Sequence, residues 1–174
     1  MEALVIYDSV FGNTKQIAQA ITDGLAARVT VEIQLAADAN PDQLAEYGLL
    51  VVGSPTRGFR PTEGVTGLLK RVPSNALKAT RVAAFDTRLK ADEIDSRGLR
   101  FVVKTGGYAA RRIGDQLKRH GGKLVLPPEG FYVQDTEGPL KQGELERAGA
   151  WAIQLLEATG SGPGASPGFQ GNSA

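Results

Sequence analysis

Three short stretches of this sequence are apolar without interruption, and they constrain the fold more than any other feature. They cover residues 3–7, 49–52 and 82–85. A strand with one wet face alternates apolar and polar side chains, whereas an unbroken apolar run predicts a strand that is covered on both faces. We therefore expect these segments to form the centre of a parallel sheet with helices on either side.

Stretches with helical periodicity separate these strands. Ile17, Ile21 and Leu25 recur at the spacing of one helix face. Strands that alternate with helices favour right-handed crossovers and a three-layer α/β domain. Similar patterns predict further helices over residues 64–71, 108–120 and 143–158.

Two further segments predict edge strands. Residues 29–33 alternate between apolar and polar side chains, as in a strand with one exposed face. The last strand, residues 123–133, contains Pro127 and Pro128, and proline cannot donate a hydrogen bond to the ladder of a central strand. With these two strands at the edges, the order 2-1-3-4-5 fits a five-stranded parallel sheet best.

Length and composition limit the kind of protein. The chain has 174 residues, of which 41% are hydrophobic and 22% are charged, and this suits one globular domain. We assign residues 1–158 to that domain and predict that residues 159–174, rich in Gly, Ser and Pro, form a disordered tail. No secretory signal precedes the first strand, and no apolar run approaches the ~20 residues of a membrane span, so we expect a soluble cytoplasmic protein.

Several kinds of site are excluded by residue counts. Cysteine is absent, which excludes disulfides, thiolate metal sites and a cysteine nucleophile. His120 is the one histidine, and its place beside Gly121 at a predicted helix end suits a charge that complements the helix dipole. We assign no catalytic residue and no metal site.

The net charge of +1 conceals an uneven distribution. Residues 57–119 hold 15 basic and 6 acidic side chains, a net charge of +9. A basic segment is one mark of nucleic-acid binding, but these side chains are spread through helix patterns without interleaved aromatics. We therefore expect no nucleic-acid partner.

Two polar loops follow the first and third strands. In an open parallel sheet, ligands bind outside the carboxyl ends of the strands where the crossover direction reverses, so loops 8–14 and 53–60 should meet at the site. The first loop has hydroxyls at Ser9 and Thr14, with Gly12 before a helix start. Free N–H groups at a helix N-terminus favour a phosphate. The residues alone equally fit a turn whose only task is to cap the helix.

Other phosphate motifs do not fit these loops. A Walker motif requires Gly-Lys followed by Ser or Thr, and no Gly-x-Gly-x-x-Gly fingerprint follows the first strand. A response-regulator receiver needs an aspartate at the end of the third strand, where this chain has Gly53 and Ser54.

Together, the two loops resemble those of the flavodoxin family. Ser-Val-Phe-Gly-Asn-Thr at residues 9–14 is similar to the family's phosphate loop, and Gly-Ser-Pro-Thr at residues 53–56 is similar to its second FMN loop. The resemblance covers residues 1–158 and implies a flavodoxin-like fold that binds the FMN phosphate on the first loop and its ring on the next two. The cofactor-binding residues that it implies are Ser9, Val10, Phe11, Gly12, Asn13, Thr14, Pro55, Thr56, Arg57, Gly58, Phe59, Asp86, Thr87 and Arg88.

Two positions depart from the family pattern. Phe11 stands where the family usually has a hydroxyl, so only its main-chain N–H can serve the phosphate, at a loss of about 0.5–1.5 kcal/mol. The family usually sandwiches the ring between aromatic side chains of the second and third loops. Here Phe59 is the candidate in the second loop, and the third loop, from Asp86 onward, offers none, so we expect Arg88 to lie against or beside the ring.

The resemblance implies an electron-transfer protein in which FMN performs the redox chemistry and the protein supplies position and charge. Two alternatives stay open: an FMN-dependent oxidoreductase acting on a quinone or a porphyrinogen, and a cofactor-free binding domain. Arg57, Arg60 and Arg88 should rim the flavin edge and favour an acidic redox partner or an anionic substrate, whereas ordinary flavodoxins tend to be acidic there. The Arg57–Gly58 peptide should respond to redox state, because Gly58 has no Cβ to prevent a peptide flip.

Overall fold

The computed structural model describes residues 1–93, 97–98 and 107–160. Residues 161–174, most of the predicted disordered tail, lie outside the described residues. The strands are β1 (Glu2–Tyr7), β2 (Thr30–Leu35), β3 (Leu49–Pro55), β4 (Arg81–Arg88), β5 (Lys123–Leu124) and β6 (Glu129–Tyr132). The helices are α1 (Asn13–Ala26), α2 (Glu63–Arg71), α3 (Ala109–Arg119) and α4 (Glu144–Ala158), with short 3-10 turns at Leu44–Glu46 and Ala91–Glu93.

The strands form one parallel sheet in the order β2-β1-β3-β4-β5, which confirms the predicted order. β5 and β6 pair with β4 one after the other, at Val82↔Leu124 and then from Phe85↔Glu129 onward. Residues 125–128, with their two prolines, separate the two pieces. The fifth strand is therefore an interrupted edge strand, for the reason that the prolines predict.

Helices cover both faces of the sheet. One core cluster joins the sheet to α1 and α4, and the other joins it to α2 and α3. Phe85, Phe131 and Trp151 lie at the centre of the first cluster, where their rings meet edge to face with centroids 6.1–6.4 Å apart, a favourable arrangement for buried aromatics. Among the described residues, no helix is both long and apolar enough to cross a membrane.

The carboxyl ends of the three central strands lie side by side. Tyr7, Gly53 and Phe85 are aligned across β1, β3 and β4. A Cβ at Gly53 would lie 2.0 Å from the Phe85 ring, so this packing requires the glycine that opens the second loop. The loops that follow these strands are thus held together at one edge of the sheet.

Candidate functional site

A cleft of about 320 Å³ lies at this edge, between the loops that follow β1, β3 and β4. It brings together eleven of the fourteen predicted site residues, and four further residues complete its wall. The predicted residues are Val10, Phe11, Asn13, Thr14, Pro55, Thr56, Arg57, Gly58, Phe59, Thr87 and Arg88; the others are Leu89, Tyr108, Val133 and Thr136.

Three predicted residues do not line the cleft themselves but are next in the chain to residues that do. The Ser9 hydroxyl accepts hydrogen bonds from the N–H groups of Gly12, at 3.1 Å, and Lys15, at 3.4 Å. Gly12 occupies the left-handed region with φ 91° just before α1. Asp86 is fully buried. Ser9 and Gly12 thus fix the turn of the first loop.

The start of α1 forms one wall of the cleft. Gly12 provides no side-chain cap for the helix, and the first N–H groups of a helix have no acceptor within it. The Ser9 hydroxyl accepts from Gly12 and Lys15, and no acceptor among the described residues binds the N–H groups of Asn13 and Thr14. These two N–H groups are left for a ligand. This wall suits an anion.

A pair of hydroxyls lies deep in the cleft. The Oγ1 atoms of Thr14 and Thr87 are 2.8 Å apart, and both residues are buried. Since each hydroxyl has one proton and one of them donates to the other, the pair keeps one O–H for a further acceptor. The Asn13 side chain instead makes a hydrogen bond within the protein, in which its Nδ2 donates to the Glu137 carbonyl at 3.0 Å.

The second loop is a tight hairpin turn from Arg57 to Arg60. The N–H and carbonyl groups of these two residues exchange hydrogen bonds of 2.9 and 3.0 Å. The two central residues have positive φ, 51° at Gly58 and 66° at Phe59, as a type I′ turn requires. Positive φ costs a non-glycine residue roughly 1–2 kcal/mol, so Phe59 is held in place by the turn.

β4 continues further than its apolar run, so that Asp86, Thr87 and Arg88 are strand residues and not loop residues. The Asp86 carboxylate binds the Arg88 guanidinium through both oxygens. It also accepts the Ala110 N–H at 2.8 Å and the Thr56 hydroxyl at 3.1 Å. Burial raises the pKa of Asp86, and the charge of Arg88, followed by these hydrogen bonds, opposes that effect.

Tyr108 supplies the aromatic side chain that we did not expect from the third loop. It lines the cleft immediately before α3, and the Arg88 guanidinium carbon lies 3.7 Å from the centre of its ring. Tyr108 begins the helix predicted over residues 108–120 but is not among the predicted site residues. The signal was available, because in a parallel α/β fold the N-terminus of each helix lies at the same edge as the carboxyl ends of the strands.

The three predicted rim arginines have different surroundings. Arg57 is exposed and lies 5.6 Å from the centre of the Phe11 ring, across the mouth of the cleft. The Arg88 side chain is only 14% exposed and binds Asp86. Arg60 lines a separate groove. Only Arg57 thus has the free rim position that we expected of all three.

The sequence matches the flavodoxin domain family over residues 4–127. The chain belongs to the flavodoxin domain family. Its flavodoxin-like fold is also that of an archaeal flavodoxin, with a TM-score of 0.71 at 21% identity over 92% of this chain and 99% of the other. Flavodoxin 2 from Bacillus cereus gives the same TM-score and identity over 90% and 99% of the two chains.

The flavodoxin-like fold also occurs inside longer proteins. Rubredoxin oxygen:oxidoreductase from Desulfovibrio gigas matches with a TM-score of 0.68 at 17% identity, over 92% of this chain but only 36% of that one. No curated protein sequence matches this flavodoxin-domain chain. In the part of the chain that the structure describes, no cluster of three His, Asp or Glu residues could hold a metal ion.

Proposed function

We propose that the protein binds FMN in the cleft and transfers electrons through it. The proposal depends on one observation. A helix start with no side-chain cap from its N-cap residue lies in the same cleft as two aromatic side chains, Phe59 and Tyr108. The helix start suits a phosphate monoester, and the aromatic side chains suit a flat ring. When bound, FMN would accept and release one or two electrons through its ring.

Different residues of the cleft would bind the phosphate and the ring of FMN. The N–H groups of Asn13 and Thr14 would hold the phosphate, together with the free proton of the Thr14–Thr87 hydroxyl pair. Phe59 and Tyr108 would contact the ring and exclude water from it. Arg57 would place a positive charge at the mouth, where it attracts anions.

A titration of the apoprotein with FMN and with riboflavin, which lacks the phosphate, tests this proposal. We expect a yellow complex, and tighter binding of FMN than of riboflavin because the first loop holds the phosphate. Thr14→Val should weaken FMN binding about fivefold, the value of one hydrogen bond, whereas Thr30→Val, on the edge strand β2, should not. A protein that stays colourless with excess FMN would contradict the proposal and favour a cofactor-free domain.

One observation favours the oxidoreductase as a second candidate. Val10 and Phe11 are 49% and 45% exposed at the cleft, and such a surface could contact an apolar substrate such as a quinone. Steady turnover of NADPH and a quinone by the FMN-loaded protein alone would support the enzyme. The acidic partner and the cytoplasmic location expected from the sequence stay predictions.

A further inference from the structure

A second, larger groove lies between α2 and α3. It has a volume of about 790 Å³, and it is formed by one polar face of each helix, at the i, i+3, i+4 and i+7 spacing of a helix surface. The opposite faces of the two helices are buried against the sheet. The polar residues of the groove are Arg60, Glu63, Thr66, Lys70, Arg111, Arg112, Asp115, Gln116 and Arg119.

The groove is positively charged. Five of these side chains are basic and two are acidic, which leaves a net charge of +3. In residues 1–93, 97–98 and 107–160, none of the five basic side chains has a carboxylate within salt-bridge distance. They are therefore free to bind an external anion.

Asp115 is paired mainly with Lys118, which does not line the groove, and the groove residues Arg111 and Arg119 act on it in the same direction. It forms a salt bridge of 2.9 Å with Lys118. The pKa of Asp115 is lowered first by the hydrogen bond to Lys118, then by the charge of Lys118 and by those of Arg111 and Arg119. An additional carboxylate in the groove would be attracted by Arg111 and Arg119 as well.

The groove adjoins the cleft through one turn. In the Arg57–Arg60 turn, Arg57, Gly58 and Phe59 line the cleft, whereas Arg60 lines the groove. A molecule seated in the groove would therefore lie beside the mouth of the cleft. This arrangement suits a partner that exchanges electrons with the cofactor.

We propose that the groove between α2 and α3 is the docking surface for an acidic redox partner protein. The proposal rests on the proposed function, since it assumes that electrons leave through the cleft. Charge complementarity of this kind steers association and selects partners. It also places the partner on the basic helices and not only on Arg57 at the rim of the cleft.

A folded acidic protein fits the groove better than a nucleic acid does. Glu63 and Asp115 interrupt the basic side chains, and they would repel a continuous phosphate backbone. No aromatic side chain lines this groove among the described residues, although single-stranded nucleic acids usually stack their bases on such side chains. A protein surface can instead present separate carboxylates opposite separate arginines.

The first test measures binding of a fluorescent oligoglutamate peptide by anisotropy, in apoprotein and FMN-loaded protein. We expect the double variant Arg111→Glu/Arg112→Glu to weaken binding about tenfold or more, and added salt to weaken it as well. The matched control, Arg28→Glu/Lys123→Glu, changes the net charge equally at exposed positions outside the groove and should have little effect. Equal weakening by the two double variants, or tighter binding of an oligonucleotide of equal charge, would overturn the proposal.

The second test locates the bound peptide by carbodiimide cross-linking of its carboxylates to lysine amines. Lys70 is the lysine that lines the groove, so we expect the main cross-link there and its loss in Lys70→Arg, which keeps the charge. A cross-link pattern spread evenly over Lys15, Lys70 and Lys123 would overturn the proposed surface. Peptide binding at Lys70 without FMN binding would refute only the proposed function, and FMN binding without a groove-specific peptide would refute only the docking surface.

Discussion

The guanidinium group of Arg88 lies against the ring of Tyr108, with its central carbon 3.7 Å from the ring centre. Asp86 fixes the same guanidinium from the side through two hydrogen bonds. Gly130 makes this position possible, because a Cβ there would lie 2.2 Å from the guanidinium carbon. Arg88 therefore packs against Tyr108, and both side chains line the cleft.

Replacing Tyr108 should weaken FMN binding. We expect Tyr108→Ala to weaken it about two- to twelvefold, since an aromatic contact contributes about 0.5–1.5 kcal/mol beyond the area that it buries. Tyr108→Phe keeps the ring and should bind almost as well, because the tyrosine hydroxyl makes only a long hydrogen bond of 3.4 Å to the Leu89 carbonyl. Titration by flavin fluorescence measures both variants, and equal affinity of Tyr108→Ala and the wild type would remove Tyr108 from the site.

Stability should depend on pH through Asp86. Because burial raises the pKa of Asp86 in the folded state, folding takes up a proton at pH values between the unfolded and the folded pKa. The contribution of this proton uptake to the unfolding free energy is complete below the pKa of Asp86 in the unfolded chain. It is lost as the pH rises through the pKa of Asp86 in the folded protein. On acidification, the wild type should therefore gain unfolding free energy relative to Asp86→Asn. The gain should be about 1.4 kcal/mol for each unit by which the pKa of Asp86 in the folded protein exceeds that in the unfolded chain.

Urea unfolding over a series of pH values measures this difference, with Asp38→Asn in an exposed turn as the control. The opposite slope, in which the wild type gains on the variant as the pH rises, would mean that attraction to Arg88 exceeds the effect of burial. It would then place the pKa of Asp86 below its usual range.

Gly58 should influence the reduction potential of bound FMN. Its φ of 51° lies in the left-handed region, and nothing within 4 Å would contact a Cβ. Gly58→Ala adds backbone strain of about 1 kcal/mol and restricts a flip of the Arg57–Gly58 peptide, so we expect a shift of one-electron potential on the order of 40 mV. Gly143→Ala places the same strain at φ 86° outside the cleft, also in open space, and should leave the potential unchanged. If Gly58→Ala leaves it unchanged as well, the peptide has no part in the redox response.

The fold could be predicted because its signals are local. Unbroken apolar runs, helical stripes and Pro127–Pro128 each act within one element, and together they fix the strand order. The hydrogen-bond partners of Asp86, in contrast, are not local in the sequence. It looks like a loop residue because it follows an apolar run, but Thr56 and Ala110, distant in the sequence, satisfy its carboxylate inside the sheet. Only the folded arrangement reveals such contacts.

The same reason explains why the cleft was predicted only in part. Its first two loops carry short motifs that are complete in the sequence. Tyr108 and Val133 join the cleft from segments far along the chain. The predicted helix start at Tyr108 indicates the correct edge of the sheet, but no motif marks either residue as part of the cleft wall. The separation of Arg60 from Arg57 likewise depends on the turn geometry at Gly58 and Phe59, which spacing alone does not give.

Two helical glycines should respond oppositely to the same substitution. Gly67 lies in α2, and a Cβ there would have no neighbour within 4 Å. Gly67→Ala should stabilise the protein by about 1 kcal/mol, the difference in helix propensity. Gly24 lies in α1, and a Cβ there would be 2.8 Å from the Ala152 Cβ and 3.0 Å from the Gly149 carbonyl oxygen of α4. Gly24→Ala should destabilise it by about 1–3 kcal/mol, because the two helices must move apart.

Urea unfolding of the two variants measures these effects, and their difference isolates the packing of α1 against α4. Both substitutions remove similar backbone entropy from the unfolded chain, so that gain cancels in the comparison. Gly149→Ala serves as an intermediate case, since a Cβ at that α4 position would make one ordinary contact of 4.0 Å with the Ala20 carbonyl oxygen. Equal stability of Gly24→Ala and Gly67→Ala would show that α1 and α4 do not pack as closely as the structure has them, because only that contact distinguishes the two sites.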